Sequence, residues 1–105
     1  MALSRERRLN KKDFSLVFKK GKLVPGEALI AKVVKTDAKK SRFGFAISTK
    51  VAAKAAERNR LKRFLTEEIR KKKELERGWD IVLVLKDKKE EHIKEGLRAI
   101  LNKIK

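Results

Sequence analysis

Between Arg58 and Arg63 the chain places four cations in six residues, Arg58, Arg60, Lys62 and Arg63, around Asn59 and Leu61. Cationic groups at that density neutralise phosphates and release counterions, and the planar arginine fork bridges two phosphate oxygens. Asn59 adds a side chain able to hydrogen-bond phosphate, ribose or a base edge. Leu61, Phe64 and Leu65 recur at the three-and-four spacing of a helix. The segment therefore reads as one helix with an apolar stripe for a core and a cationic face for a polyanion.

Residues suited to bond-breaking chemistry are sparse. His92 is the single histidine and falls on the polar edge of a C-terminal helix, where a solvated position is expected. No His, Asp and Glu cluster has metal-ligand spacing, and the chain has no cysteine. Ser15, Ser41 and Ser48 have no base and orienting partner nearby in sequence. Gly44 stands alone between Phe43 and Phe45, which suggests a bulge or a close backbone approach rather than a phosphate-cradling loop. Glu67-Glu68 and Glu90-Glu91 are expected as solvated helix positions or partners of nearby lysines. These residues favour a binding module over an autonomous enzyme.

The totals agree. A chain of 105 residues suits one domain. Lys and Arg number 31 against 14 Asp and Glu, a net charge of +17 whose self-repulsion gives a monomeric domain no stability and so points to a polyanionic partner. Nucleic acid is preferred to a membrane, because no run of about 18 apolar residues is present. Met1 to Arg8 lacks the apolar stretch of a secretory signal, and the absence of cysteine fits a reducing cytosol, so a cytoplasmic location is expected.

The elements that must position these residues can be read in outline. Residues up to Leu9 form a basic arm, expected to be mobile, and Asn10 caps a helix running to Lys20 and stopping at Gly21, with Asp13 at the third position. Lys22–Val24 is a candidate short strand, Pro25-Gly26 a turn, Ala28–Val34 a strand and Arg42–Ser48 another. A long helix follows Lys50, with Leu61, Phe64, Leu65, Ile69 and Leu75 in one arc and Asn59, Arg63, Thr66 and Arg70 opposite, and Gly78 is expected to end it. Asp80–Leu85 reads as a buried strand, with Trp79 packing beside it. Ile93, Leu97, Ile100, Leu101 and Ile104 mark the last helix. In the first helix Phe14, Val17 and Phe18 share a face, which suits either a core or a base-stacking surface; Lys11, Lys12, Lys19 and Lys20 surround it.

Five motifs occur in the order found in one family: Arg8-Leu9; Asp13-Phe14 with Val17 to Gly21; Arg42 to Ser48; Ala55 to Arg63; and Gly78 to Val82. Over nearly its full length the chain resembles the protein subunit of bacterial ribonuclease P. The resemblance implies an α/β fold, a two-layer sandwich in the order αβββαβα, with a left-handed crossover around the Arg-Asn-Arg helix. It implies a single RNA-binding domain over residues 1–105 with a short basic arm at about 1–9. It also implies a role: such subunits join a catalytic RNA, one protein per RNA, to remove the 5′ leader of precursor tRNA, with Mg²⁺ and the chemistry carried by the RNA.

Carried over by position, Arg58, Asn59, Arg60, Lys62 and Arg63 are candidate contacts to the catalytic RNA. Phe14, Phe18, Lys19 and Lys50 are candidates for the leader, with no catalytic or metal-binding residue in the chain. Two departures bear on this. Ala28 and Ala31 stand in the strand where many members have an aromatic, and Thr49-Lys50 followed by Ala52 and Ala53 replaces the usual Lys-Lys pair and glycine. The rival readings are a ribosomal-type or RNA-chaperone protein and a free-standing nuclease.

Overall fold

The computed structural model describes residues 7–104, apart from the side chain of Glu74. In chain order the elements are α1 (Lys11–Lys20), β1 (Lys22–Val24), β2 (Leu29–Lys35), β3 (Arg42–Ala46), α2 (Ala55–Arg70), a 3-10 turn (Lys73–Leu75), β4 (Trp79–Leu85) and α3 (Glu90–Ile104). The αβββαβα order is the one expected, and the small strand at Lys22–Val24 is present.

The four strands lie in the order β1-β2-β4-β3. β1 with β2 and β2 with β4 are antiparallel, whereas β3 runs parallel to β4 and is joined to it through α2. Alternation along β2 and β4 sends Leu29, Ala31 and Val33 with Ile81, Leu83 and Leu85 to one face. Leu61, Leu65 and Ile69 of α2 and Ile93, Leu97, Ile100 and Leu101 of α3 cover that face, completing the sandwich. Burying each such aliphatic side chain contributes about 1.5–3 kcal/mol, so this layer carries most of the stability.

The opposite face is only partly covered. There α1 packs on β2 and β4, and Val17 is its one buried residue. Val82, fully buried on this face, lies beneath it. Asn10 starts α1 as expected, its Oδ1 accepting from the Asp13 N–H at 2.8 Å, and Gly21 follows its end.

Several readings of the sequence are corrected. The long helix stops at Arg70 rather than at Gly78, and Leu75 reaches the core from the separate 3-10 turn. Gly78 instead makes a turn at φ +88°, accepting from Thr36 N and donating to Ala38 O. β3 ends at Ala46, after which the Ser48 carbonyl accepts from the N–H groups of Val51 and Ala52. Thr66, expected on the polar side of α2, is buried because its hydroxyl is satisfied by donating to Lys62 O at 2.8 Å. Glu68 is buried rather than solvated, and one carboxylate oxygen lies 3.2 Å from Lys71 Nζ, the lysine pairing also expected for it. The basic arm is attached at its inner end: Leu9 N donates to Phe43 O at 2.9 Å, and Arg7 lies 5.7 Å from the centre of the Phe43 ring. The rest of the arm lies outside the described residues.

Candidate nucleic-acid interface

Two surfaces meet at β3, one of the two edge strands of the sheet. The first belongs to α2. Leu61 and Leu65 anchor this helix in the core, which turns Asn59, Arg60, Lys62 and Arg63 to solvent. Arg60 sits at the edge of ion-pair distance from Glu57, 4.0 Å away. An exposed pair of this kind contributes at most about 1 kcal/mol and is readily exchanged for phosphate.

Arg58 behaves differently. It is half-buried, and its Nη1 donates to the carbonyls of Ala52 and Ala53, both at 2.9 Å. These bonds fasten the loop before α2, whose N-cap residue Lys54 makes no side-chain cap. Of the five candidates on this helix, four are exposed and one is engaged with the protein.

The second surface lies between α1 and the open part of the sheet. The rings of Phe14 and Phe18, one helical turn apart, are stacked with centroids 6.3 Å apart and planes 11° from parallel. Phe18 is 45% exposed and Lys19 is exposed. Phe14 lies over Gly44: a Cβ there would fall 2.4 Å from Phe14 Cδ2 and 2.8 Å from Cε2. The glycine therefore admits an aromatic ring, where the sequence had suggested a bulge or a neighbouring backbone.

Beyond Gly44 on this face, the register aligns Ala46, Val84 and Ile30, all half-buried, as an apolar floor beside the two rings. Ala28 and Ala31 do not contribute to it. Both are buried, Ala31 on the core side with Leu29, so the residue that β2 supplies to this floor is Ile30.

A charged network fixes α1 in place. Arg42 grips Asp80 with two bonds, Nη2 to Oδ2 at 2.8 Å and Nε to Oδ1 at 3.1 Å, and reaches Asp13 Oδ2 of α1 with Nη1 at 2.8 Å. The hydrogen bond to Asp80, with smaller help from Asp13, outweighs partial burial and holds the Arg42 guanidinium above even its usual high pKa, so the cation does not titrate. No sequence signal pairs residues 29 and 38 positions apart.

Lys50 is exposed and lines a depression with Arg60, Arg63 and Lys88, which Phe14, Phe18 and Lys19 do not share. The structure thus groups Lys50 with the α2 cations rather than with the aromatic pair. Sequence reasoning also left out Arg8 and Phe45, which line a trough with Asn59, Lys62 and Arg63. His92 sits away from both surfaces, its Nδ1 2.6 Å from Asp87 Oδ2 and its side chain 50% exposed.

A family model described as Ribonuclease P matches residues 3–105. The chain belongs to the ribonuclease P protein family. A ribonuclease P protein component from Thermotoga maritima is 33% identical over 109 residues, covering 95% of this chain and 92% of that protein. One from Dehalococcoides mccartyi is 38% identical over 78 residues, and the match covers 74% of this chain but 63% of the relative's length. The solved structure of the ribonuclease P protein from Thermotoga maritima superposes with a TM-score of 0.75 at 30% identity, covering 100% of this chain and 98% of that one.

The ribonuclease P reaction needs a metal ion that the family resemblance places in the RNA. Among the described residues no group of three or more His, Cys, Asp or Glu side chains converges to hold one. None of the described helices is long and apolar enough to cross a membrane.

Proposed function

We propose that this chain is the protein subunit of ribonuclease P, which binds the catalytic RNA through α2 and the 5′ leader of precursor tRNA through the cleft beside α1. The observation that carries this reading is the presence of two chemically different surfaces flanking one strand. Cations project from α2, while stacked aromatics and an apolar floor line the cleft. Polyphosphate packed in a folded RNA suits the first, and unstacked bases of a single strand suit the second.

In this reading Asn59, Arg60, Lys62 and Arg63 contact the catalytic RNA directly, and Arg58 supports them by holding the preceding loop. Phe14, Phe18 and Lys19 hold the leader, with Lys50, four residues beyond Ala46, extending that path toward α2. Only the precursor has a leader, so this cleft favours substrate over mature tRNA. The dense positive charge also offsets phosphate repulsion around the Mg²⁺ ions of the RNA. A single RNA-binding domain working in the cytoplasm, one copy per catalytic RNA, accounts for the chain.

Two substitutions separate the surfaces. Arg60→Ala and Arg63→Ala are each expected to weaken assembly with the catalytic RNA about tenfold and to reduce the salt slope by about one. Filter binding across a range of salt concentrations checks this, and an unchanged slope would remove these residues from the phosphate contacts. Phe18→Ala, at a half-exposed position, is expected to leave folding intact and to lower precursor affinity about tenfold, the effect of losing one stacked base. Mature tRNA should bind the holoenzyme as before; equal losses for both would exclude a leader role.

A further inference from the structure

The trough between β3 and α2 has a composition that phosphate binding alone does not require. Its walls are Arg8, Leu9, Phe45, Asn59, Lys62 and Arg63, with buried Phe43 beneath, and it encloses about 440 Å³. That volume lies within the roughly 300–1,000 Å³ of small-ligand sites. None of its lining residues is acidic, whereas the depression beside His92 is lined by Glu27, Asp87 and Glu95 and the one beside Lys50 by Glu57. A second hollow, also without acids, continues it past Ala46 to Ser48, sharing Phe45 and Lys62.

β3 forms one wall of the trough and is an edge strand of the sheet. Leu9 N donates to Phe43 O on that outer edge. Residues two apart on a strand direct their backbone groups to the same side, so the N–H and C=O of Phe45 also face that open edge. A donor and an acceptor fixed in one plane therefore lie beside a half-buried aromatic ring, opposite an asparagine side chain and within a ring of cations. An apolar flat surface, paired edge groups and surrounding positive charge are together what a base attached to a phosphodiester requires.

We propose that this trough holds one unstacked nucleotide of the catalytic RNA, an inference that rests on the assignment of α2 to that partner. The base lies against Phe45 and Leu9, its edge meets the Phe45 backbone and Asn59, and its phosphates meet Arg8, Lys62 and Arg63. The helix then fixes the register of the RNA as well as neutralising it, because one protruding nucleotide must enter one place. Thr66 takes no part, its hydroxyl being bonded within α2.

Titrating the ¹⁵N-labelled full chain with adenosine and uridine 5′-monophosphates, and with inorganic phosphate at constant ionic strength, tests the site. Saturable amide shifts at Phe45, Ala46, Asn59 and Lys62 are expected with at least one nucleotide, at concentrations about tenfold below those needed for phosphate. Equal shifts with phosphate, or nucleotide shifts confined to Phe14 and Phe18, would overturn the proposal. In the assembled enzyme, Phe45→Leu keeps an apolar side chain toward the core. It is expected to weaken affinity for the catalytic RNA about tenfold without altering the salt slope or the preference for precursor over mature tRNA. A change confined to that preference would make the occupant the leader and refute the assignment, and should the variant misfold, the wild-type titration decides. Cleavage stimulated by the wild-type chain, measured alongside, keeps a failure of this site distinct from a failure of the subunit assignment.

Discussion

Arg42→Ala is expected to destabilise the fold by about 2–4 kcal/mol, a large part of the roughly 5–15 kcal/mol available to a domain. The reason is what the arginine leaves behind. Asp80 is 7% exposed and Asp13 is partly shielded, and Arg42 bonds both at 2.8 Å. Removing one partner of a buried pair costs about 3–5 kcal/mol, and water reaching the arginine, whose side chain is 33% exposed, lowers that figure. The thermal midpoint should fall by about 10 °C or more, read by circular dichroism. A second effect is functional: Asp13 lies on α1, so its release loosens the helix carrying Phe14 and Phe18 and precursor affinity falls with stability. A midpoint within a degree or two of wild type would show that the network is solvated and does not hold α1.

Gly44→Val is expected to uncouple the cleft from the rest of the protein. Even the first added carbon would sit 2.4 Å from the Phe14 ring and 3.5 Å from Leu9 Cδ1, and valine adds two more methyl groups. Overpacking of this kind costs about 1–3 kcal/mol when neighbours can shift. Here the shift falls on Phe14, which must leave its place against β3 and its stack with Phe18. Gly44 points away from the core side of Phe43 and Phe45, so the exposed cations of α2 keep their places and discrimination for precursor is lost. Affinity for the catalytic RNA falls only as far as a displaced Leu9 disturbs the trough beside Phe45. Gly44→Ala should show the same trend more weakly. Retention of full precursor preference by the valine variant would mean that the Phe14 ring is not part of the leader surface.

Much of the architecture was written in local patterns. The 3.6-residue period marked all three helices, Asn10 and Gly21 bounded the first, and apolar runs marked β2 and β4. Local patterns do not decide the structure where the governing contact is distant or the periods overlap. Leu75 fits the arc of α2, yet nothing in a helical projection distinguishes a continued helix from a break followed by a 3-10 turn that returns the same side chain to the core. Thr66 and Glu68 look polar in sequence but are buried; a backbone carbonyl satisfies the Thr66 hydroxyl, and Lys71 reaches one of the two Glu68 carboxylate oxygens.

The interface was legible as a list of residue types and less so as a geometry. The cations of α2 were evident, but the engagement of Arg58 by Ala52 and Ala53 depends on the course of the loop. Lys50 was grouped with the aromatics by family position, and the fold places it beside Arg60 and Arg63. Arg42, Asp13 and Asp80 come from three elements, and only the parallel pairing of β3 with β4 brings Arg42 opposite Asp80.

The most direct test of the account is reconstitution. The purified chain is combined with a bacterial ribonuclease P catalytic RNA at a low Mg²⁺ concentration where that RNA alone is nearly inactive, and cleavage of the leader from precursor tRNA is measured. Strong stimulation that requires both components is expected, with no cleavage by the protein by itself. A folded chain that leaves the RNA inactive, or that cleaves without it, would contradict the account.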